Sequence, residues 1–500
     1  MSTSTTDDPR VPSGLHGLDD ILHGGLPPGH SYLVHGQPGS GKTTLGMQFA
    51  MEGARRGEKA LYVTNCETVG QIEFMARGHG WSLDGVDVHY LDTGEILGEE
   101  GEQSLFHVNE VAFPRTLDTL AKAVDEARPD RLVLDSLTEL RLLAAEPRAF
   151  RRELLSLTRF LTEMGCTSLL FDDASADVST LASVVNGLVD LEQVPRNYGP
   201  DRRRVRVRKL RGTDFRSGYH DFRIQRGGIR VFPRIEQNGQ RDEVADDRLC
   251  SGVAGLDELI GDGIVRGSSV LFQGSTGGGK STLAAQFAVA AAERGESSTI
   301  CVFDESRGML LKRTESLGID VRRHAEEGRI DVIEIDPAEL TPGEFSHRIR
   351  RDVEERGIRL LVIDSLNGYV HAMADERMLL VHLHELSSYL GSHGVTVLSI
   401  LAEHGALGAV ASTVEDLSYI SDAVLYFRHF EYAGEVRRCI SVYKNRGGGH
   451  EHTIREMKLG PRGIHVGEPL RNFRGVLSGS PEYVSDDIPE RGEGRDDDRI

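Results

Sequence analysis

The sequence predicts an α/β protein built from two tandem domains, each with a mostly parallel sheet flanked by helices. Three observations predict this fold class. A Gly-rich pattern, G-x4-G-K-[S/T], occurs twice, and its two lysines, Lys42 and Lys280, lie 238 residues apart. The residues around the pattern repeat at the same offset. Short apolar runs alternate with longer amphipathic stretches, which is typical of parallel strands joined by helices.

The internal repeat sets the domain organisation. Residues 13–22 (SGLHGLDDIL) recur as residues 251–260 (SGVAGLDELI). A repeat of this length indicates a duplicated domain, and the polar stretch at 235–247 predicts the boundary. The predicted N-terminal domain covers residues 1–240 and the C-terminal domain covers residues 245–484. A charged tail at 485–500 is predicted to be disordered.

Within the first domain, the elements follow in a regular order. Apolar β-rich runs predict strands, and amphipathic runs predict helices. Residues 204–208 alternate arginine with valine, which predicts an antiparallel strand with one apolar and one charged face. The predicted parallel strands are 61–64, 88–91, 131–134 and 168–171, and helices are predicted at 116–126 and 150–162.

Composition narrows the function classes. The 500 residues include 39% hydrophobic and 27% charged residues, as is ordinary for a globular protein. The net charge of −20 disfavours general binding to nucleic acids. No apolar run approaches the roughly 18 residues of a membrane span, and the N-terminus does not resemble a signal peptide. Five scattered cysteines form no CxxC pair, so a cytoplasmic location is predicted.

The repeated Gly-rich pattern is that of a P-loop. Its glycines let backbone N–H groups surround phosphates at the start of a helix, its lysine neutralises phosphate oxygens, and its Thr or Ser hydroxyl binds Mg²⁺. ATP and Mg²⁺ are therefore the predicted cofactors. The predicted phosphate-binding residues are Gly36, Pro38, Gly39, Ser40, Gly41, Lys42, Thr43 and Thr44 in the first domain, and Gly274, Thr276, Gly277, Gly278, Gly279, Lys280, Ser281 and Thr282 in the second.

An aspartate at the end of a later strand completes each predicted metal site. Asp135 and Asp364 each follow an apolar run and precede a serine. A carboxylate there can hold Mg²⁺ together with Thr43 or Ser281. The alternative interpretation is a helix N-cap after a buried strand.

ATP hydrolysis also needs a base or a water-positioning group, which is commonly a carboxylate. The second domain offers Asp304 and Glu305 after a strand, whereas the equivalent positions of the first domain hold Cys66 and Glu67. Glu67, Asp304 and Glu305 are the candidate catalytic residues. If the first position of the pair is the base, the first site binds ATP but turns it over slowly. The alternative is a polar strand end without a catalytic role.

Each repeat closes with Lys-x-Arg-Gly, at Lys209 and Arg211 and at Lys444 and Arg446. On a strand, this spacing places both cations on one face, where they could stabilise the charge of a γ-phosphate. The alternative is a solvated basic edge.

Together these motifs resemble the KaiC family of RecA-like ATPases over nearly the whole chain to about residue 484. The resemblance rests on S-G-[LV]-x-G-L-D before each P-loop, the acidic positions one strand later, the Asp-Ser strand ends, Lys-x-Arg-Gly, and the closing LSGSP of residues 477–481. It implies two RecA-like domains in a homo-oligomeric ring, a hexamer with ATP between neighbouring subunits. The cations Lys209, Arg211, Lys444 and Arg446 would then act in trans.

The resemblance also implies regulatory protein partners, whose identity it does not give, and a candidate phosphorylation site. Members of the clock type phosphorylate an adjacent Ser and Thr in the second domain. Here Ser418 stands at the Ser position and Tyr419 replaces the Thr, so a single-site reaction on Ser418 is the version that this sequence retains. Tyr419 could accept phosphate only if the pocket fits its longer side chain, and the alternative is an interface segment without phosphate chemistry. Cys66 and Asp304 also depart from the family pattern.

Two other functions compete with a signalling ATPase that phosphorylates itself. One is a RecA- or RadA-like DNA-dependent ATPase. DNA-facing loops of such proteins are basic, but residues 401–415 contain no Lys or Arg. The other is a scaffold in which ATP holds the ring together with little turnover.

Overall fold

The computed structural model describes residues 9–92, 108–144, 146–173, 178–196, 199–236, 247–336, 338–371, 376–403, 418–476 and 482–484. These residues divide into two compact units, one ending at Arg234 and the other beginning at Ile235.

The first unit alternates strands and helices up to residue 194 and continues with strands alone. Its strands are β1 (Ser31–Gly36), β2 (Ala60–Thr64), β3 (Val86–Tyr90), β4 (Arg131–Asp135), β5 (Thr167–Asp172), β6 (Gly187–Val194), β7 (Arg202–Leu210), β8 (His220–Gln225) and β9 (Gly228–Phe232). Its helices are α1 (His16–Ile21), α2 (Lys42–Arg55), α3 (Val69–His79), α4 (Val108–Ala127), α5 (Leu137–Leu143), α6 (Pro147–Glu163) and α7 (Val178–Ala182).

Within the described residues, these strands form one sheet in the order β3-β2-β4-β5-β1-β6-β7-β8-β9. The first six strands in this order are parallel. The last three pair antiparallel with their neighbours. Strand β1 lies between β5 and β6, so the loop after β1 emerges at the carboxyl edge that it shares with the other parallel strands.

The second unit repeats this plan. Its strands are β10 (Arg248–Leu249), β11 (Ile264–Val265), β12 (Ser269–Ser275), β13 (Ser297–Val302), β14 (Ile330–Glu334), β15 (Ile358–Asp364), β16 (Thr396–Glu403), β17 (Ala423–Tyr432), β18 (Glu435–Asn445), β19 (Arg455–Gly460), β20 (Gly463–Pro469), β21 (Phe473–Arg474) and β22 (Glu482–Tyr483). Its helices are α8 (Ala254–Leu259), α9 (Lys280–Glu293), α10 (Arg307–Ser316), α11 (Val321–Glu326), α12 (Pro342–Arg356), α13 (Leu366–His371) and α14 (Glu376–Ser392).

The main sheet of the second unit has the order β14-β13-β15-β16-β12-β17-β18-β19-β20 in the part of the chain that is described. Strand for strand, this matches the first sheet, with β12 in the place of β1. The predicted fold class, two tandem RecA-like α/β domains, is confirmed.

Individual elements also agree with the sequence patterns. Each predicted parallel strand of the first domain lies on one of β2 to β5, and the two predicted helices lie inside α4 and α6. The alternating arginines belong to β7, which pairs antiparallel with β6 and β8. Most of the predicted boundary stretch and the whole predicted tail at 485–500 lie outside the described residues. No helix in the described ranges is long and apolar enough to cross a membrane.

Apolar side chains fill both faces of each sheet. In β12, Val270 and Phe272 belong to one buried cluster, and Leu271 between them belongs to another. In β1, the neighbouring residues Tyr32 and Leu33 likewise belong to two different buried clusters. Successive strand residues point to opposite faces, so a continuous apolar run is expected where helices cover both sides.

Phe272 provides a test of this packing. Its side chain is fully buried, and its ring centroid lies 5.4 Å from that of Phe427 and 6.2 Å from that of Phe287. Because Phe272→Ala leaves a cavity, we expect it to lower the free energy of unfolding of the second unit by about 3–5 kcal/mol. Chemical denaturation of the full chain measures this change. Val381→Ala, at a position that is 51% exposed, is the control, with an expected change within about 0.5 kcal/mol.

Candidate functional site

The first Gly-rich loop connects β1 to α2. Gly41 has a φ of +105°, and a Cβ atom there would lie 2.8 Å from Ile224 Cδ1, so this position requires glycine. The side chain of Lys42 folds back over the loop. Its Nζ donates to the carbonyl oxygens of Gly36 (2.7 Å) and Gln37 (3.1 Å) and lies 2.8 Å from Asp173 Oδ1. The loop therefore holds the lysine cation beside it, where the cation and the backbone N–H groups of the loop can bind a phosphate.

The second loop has the same geometry between β12 and α9. Gly279 has a φ of +99°, and a Cβ atom there would lie 2.6 Å from Met457 Cε. Lys280 Nζ donates to the carbonyl oxygens of Gly274 and Ser275, both at 2.7 Å. Burial lowers the pKa of Lys280 to about 8, although the charges of nearby carboxylates oppose the shift.

The other predicted phosphate-binding residues lie in these two loops and the first turns of their helices. Pro38, Gly39 and Ser40 precede α2, and Thr44 lies in its first turn. In the second unit, Thr276, Gly277 and Gly278 precede α9, and Thr282 lies in its first turn. The start of each helix therefore faces the loop with its N–H groups.

A hydroxyl and a carboxylate meet beside each lysine. Thr43 Oγ1 donates to Asp135 Oδ2 at 2.9 Å, and the Tyr62 hydroxyl donates to the same oxygen at 2.8 Å. In the second unit, the Ser281 hydroxyl donates to Asp364. Burial raises the pKa of Asp135, and it raises the pKa of Asp364 to about 6.

These pairs fit a magnesium ion. Hydroxyl and carboxylate oxygens are the ligands that Mg²⁺ prefers, and it takes further ligands from water and substrate phosphates. The described residues contain no group of three or more His, Cys, Asp or Glu side chains that could hold a metal by themselves. A site completed by a bound nucleotide needs no such group.

The acidic positions after β2 and β13 have different surroundings in the two units. In the first, burial and the charge of Asp135 raise the pKa of Glu67, and Glu67 Oε2 has no hydrogen-bond partner among the described residues. Cys66 Sγ donates to Asn65 Oδ1 at 3.3 Å and lies 3.5 Å from Ser136 Oγ.

In the second unit, both carboxylates have strong partners. Ser365 Oγ donates to Asp304 Oδ2 at 2.5 Å. Arg313 holds Glu305 with two hydrogen bonds, from Nε to Oε1 (3.1 Å) and from Nη2 to Oε2 (2.8 Å). Arg313 Nη1 also donates to Thr282 Oγ1 at 3.0 Å, which ties this pair to the start of α9.

The Lys-x-Arg pairs differ in part from the prediction. Lys209 and Lys444 lie on β7 and β18, but each strand ends at the next residue, so Arg211 and Arg446 lie in the turns that follow. Arg211 nevertheless contacts the same segment as Lys209, because its Nη2 donates to the carbonyl oxygen of Ser183 at 3.1 Å.

Both lysines contact main-chain carbonyls of their own unit. Lys209 Nζ donates to the carbonyl oxygens of Ala182 and Val185, the latter at 2.8 Å. Lys444 Nζ donates to those of Ser418 (2.9 Å) and Ser421 (2.7 Å). Each lysine thus holds the segment that leads into β6 or β17.

The candidate phosphorylation site lies at the edge of the described chain. Ser418 is partly buried, whereas the side chain of Tyr419 is 79% exposed. Residues 404–417, which precede them, lie outside the described residues.

Sequence reasoning missed four partners at these sites. Tyr62, Asp173 and Arg313 contact the predicted residues as given above, and His429 Nδ1 lies 3.0 Å from Ser275 Oγ in the second loop. The sequence did contain a signal for Arg313. The 238-residue offset aligns Glu305 with Glu67 and Arg313 with Met75, so a charged residue in the second domain replaces an apolar one in the first. The other three depend on sheet register.

The fold and the two loops define a tandem RecA-like P-loop NTPase. A sequence model described as "ATPase: KaiC" matches the chain twice, at residues 11–236 and 249–471. The chain belongs to the KaiC ATPase family.

Curated relatives align over almost the entire chain. The circadian clock protein KaiC3 of Synechocystis sp. is 28% identical over 507 residues, covering 98% of both chains. The circadian clock oscillator protein KaiC of Synechococcus elongatus is 28% identical, covering 95% of this chain and 92% of its own. The protein with the same description from Acaryochloris marina is also 28% identical, with the same coverage.

The lowered pKa of Lys280 predicts the pH dependence of ATP binding at the second site. Its ammonium group is neutralised as the pH rises through about 8, so we expect affinity to fall above pH 8 by up to about tenfold per unit. Titration with a fluorescent ATP analogue in a Lys42→Ala background measures this. In Lys280→Arg the cation persists and the fall should disappear; an equal fall in both proteins would contradict the assignment.

Proposed function

We propose that this protein binds and hydrolyses ATP with Mg²⁺ in both domains, and that it acts in signalling or regulation as a ring of identical subunits. The observation that carries the proposal is the duplicated cradle. In each domain, a lysine buried in a Gly-rich loop lies beside a hydroxyl–carboxylate pair: Thr43 with Asp135, and Ser281 with Asp364.

In this proposal, the chain supplies phosphate binding, metal ligands and a base. Lys42 and Lys280 turn from the loop carbonyls to the phosphate oxygens, and backbone N–H groups of the loops contact the phosphates. Thr43 with Asp135, and Ser281 with Asp364, would hold Mg²⁺, which neutralises charge on the phosphates when it is bound.

Glu67 and Asp304 are the proposed bases. A base works best when its pKa approaches the working pH, and the raised pKa of Glu67 moves it in that direction. Asp304 follows β13, which corresponds to β2 of the first domain, and it accepts a hydrogen bond from Ser365. The first domain therefore hydrolyses ATP through the second position of its pair, Glu67, although Cys66 occupies the first.

We further propose phosphoryl transfer to Ser418 in the second domain. The Ser418 oxygen would bond to the γ-phosphorus, the bond from that phosphorus to the β–γ bridging oxygen would break, ADP would leave, and the hydroxyl proton would pass to Asp304. Lys444 supports this assignment, because its bond to the Ser418 carbonyl places a cation at this segment. Tyr419 is the alternative acceptor.

The ring, a hexamer by family resemblance, is proposed with Lys209, Arg211, Lys444 and Arg446 acting on the ATP of a neighbouring subunit. Arg211 and Arg446 lie in turns just beyond their strands, and Arg211 Nη2 would exchange its hydrogen bond to the Ser183 carbonyl oxygen for a phosphate of the neighbour. The ring would act with regulatory proteins whose identity is open. The relatives' descriptions as circadian clock proteins support a regulatory role.

The surface of β7 supports a regulatory ATPase over a DNA-dependent ATPase. Arg204 Nη2 donates to Glu192 Oε2 at 2.9 Å, and Arg208 lies 3.4 Å from Asp190. Arginines that are already paired with carboxylates have less charge available for a phosphate backbone.

Incubation with Mg²⁺ and γ-labelled ATP tests both activities, by separating free phosphate from phosphate attached to the chain. We expect both products from the wild-type protein. Lys280→Ala should remove attached label because it removes the phosphate-binding cation, and Asp304→Asn should do the same because it removes the base. Loss of the base should lower the second-site rate by at least about 10²-fold.

Attached label should disappear in Ser418→Ala and persist in Tyr419→Phe. The reverse pattern would move the acceptor to Tyr419. Free phosphate with an unlabelled chain would leave an ATPase without autophosphorylation. Neither product in the presence of tightly bound ATP would contradict the enzyme and favour the scaffold.

The first site is expected to support assembly as well as turnover. If ATP lies between neighbouring first domains, Lys42→Ala should weaken the ring because it removes the cation that holds the nucleotide. Light scattering with ATP should then show a smaller particle than for the wild-type protein. An unchanged particle size would contradict this role.

A further inference from the structure

Arg313 on α10 holds the carboxylate of Glu305 through both of its oxygens. Its Nε and Nη2 donate to the two carboxylate oxygens at 3.1 and 2.8 Å, and Nη1 donates to Thr282 Oγ1 at 3.0 Å. The side chains of Arg313 and Glu305 are only 28% and 24% exposed. This is a bidentate guanidinium–carboxylate pair, the strongest geometry available to these groups.

The internal repeat shows what the first domain has at the same place. At the 238-residue offset, Glu305 corresponds to Glu67, and Arg313 corresponds to Met75 on α3. Met75 packs against the apolar core and carries no charge. Glu67 Oε2 accordingly has no hydrogen-bond partner in the described part of the chain, and burial raises its pKa.

We propose that Arg313 is a positioning residue that prevents Glu305 from acting as a base. The two sites would then use carboxylates at different positions of the pair as their bases. The inference rests on the proposed ATPase function and deepens it. A general base must be placed within hydrogen-bond reach of the proton that it accepts. The two hydrogen bonds from the guanidinium fix the carboxylate of Glu305 against α10 and restrict its approach to the water, so turnover in the second site depends on Asp304, whereas Glu67 serves the first site.

The reaction at issue is hydrolysis of the γ-phosphate. The water oxygen forms a bond to the γ-phosphorus, and the bond to the β–γ bridging oxygen breaks with its electron pair going to ADP. The carboxylate accepts the water proton and passes it on to solvent or phosphate. Arg313 touches neither the water nor the phosphorus in this scheme. It acts on the proton transfer through Glu305, and its bond to Thr282 Oγ1 fixes the guanidinium at the start of α9.

Rescue of a base-deficient variant tests the proposal. The background is Glu67→Gln, which silences the first site without removing its phosphate-binding lysine. In this background, Asp304→Asn should lower kcat by about 10²-fold or more. Adding Arg313→Met, which copies the residue of the first domain, should release Glu305. It should raise kcat at least about tenfold over that of the Asp304→Asn variant in the same background. The KM for ATP should change less than about threefold, because no phosphate ligand is altered.

Two variants control for charge and for folding. Arg313→Lys keeps a cation beside Glu305 and should rescue less than Arg313→Met. Lys312→Met removes the neighbouring, exposed cation of the same helix and should not rescue at all. A further Glu305→Gln change should abolish the rescue. The proposal is overturned if Arg313→Met gives no rescue while the variant still binds ATP, or if the rescue survives Glu305→Gln.

The reciprocal change places the same pair in the first domain. In an Asp304→Asn background, Met75→Arg should lower the first-site kcat by about tenfold or more with little change in KM, because the guanidinium would occupy Glu67. Met75→Leu is the matched control and should retain the rate. Equal rates in the two variants would contradict the proposal. If the parent protein releases no phosphate, the proposed ATPase function fails instead, which is a distinguishable result.

Discussion

Each candidate site depends on a single strand that is hydrogen-bonded to parallel neighbours on both sides. Strand β1 lies between β5 and β6, and β12 lies between β16 and β17. Because the neighbouring strands run in the same direction, their carboxyl ends meet at one edge. The lysine of the loop, the aspartate that ends β4 or β15 and the carboxylates after β2 or β13 all lie at this edge. Loss of the central strand would therefore disperse the whole site.

The sequence predicted the parts of the structure that local patterns control. Continuous apolar runs, which are expected for strands buried on both faces, identified the parallel strands. The glycine spacing identified both loops, because positive φ angles and close packing leave few alternatives at positions such as Gly41 and Gly279. It did not predict contacts that depend on register between distant segments. Tyr62 reaches Asp135 from a neighbouring strand, and no spacing along the chain encodes that approach. The ends of strands are also poorly resolved by sequence patterns, and β7 ends one residue before Arg211.

The two sites share a backbone plan but differ in how charge is balanced. In the first, Lys42 uses its three donors on two carbonyls and on Asp173. In the second, Lys280 contacts two carbonyls, and its burial is severe enough to lower its pKa to about 8. Asp135 has a tyrosine hydroxyl as a second donor, whereas position 300, which corresponds to Tyr62, is an isoleucine. The electrostatic environment of each nucleotide site is thus set by side chains around a common frame.

The correspondence of Met75 and Arg313 has an evolutionary consequence. Duplication of a domain leaves two copies that must both keep the strand order, the crowded glycines and the buried faces on which folding depends. The helix position occupied by Met75 in one copy and Arg313 in the other lies at the margin of the core and meets fewer of those demands. Divergence at such positions lets paralogous halves of one chain acquire different chemistry while the ancestral architecture is retained, and the number of substitutions required is small.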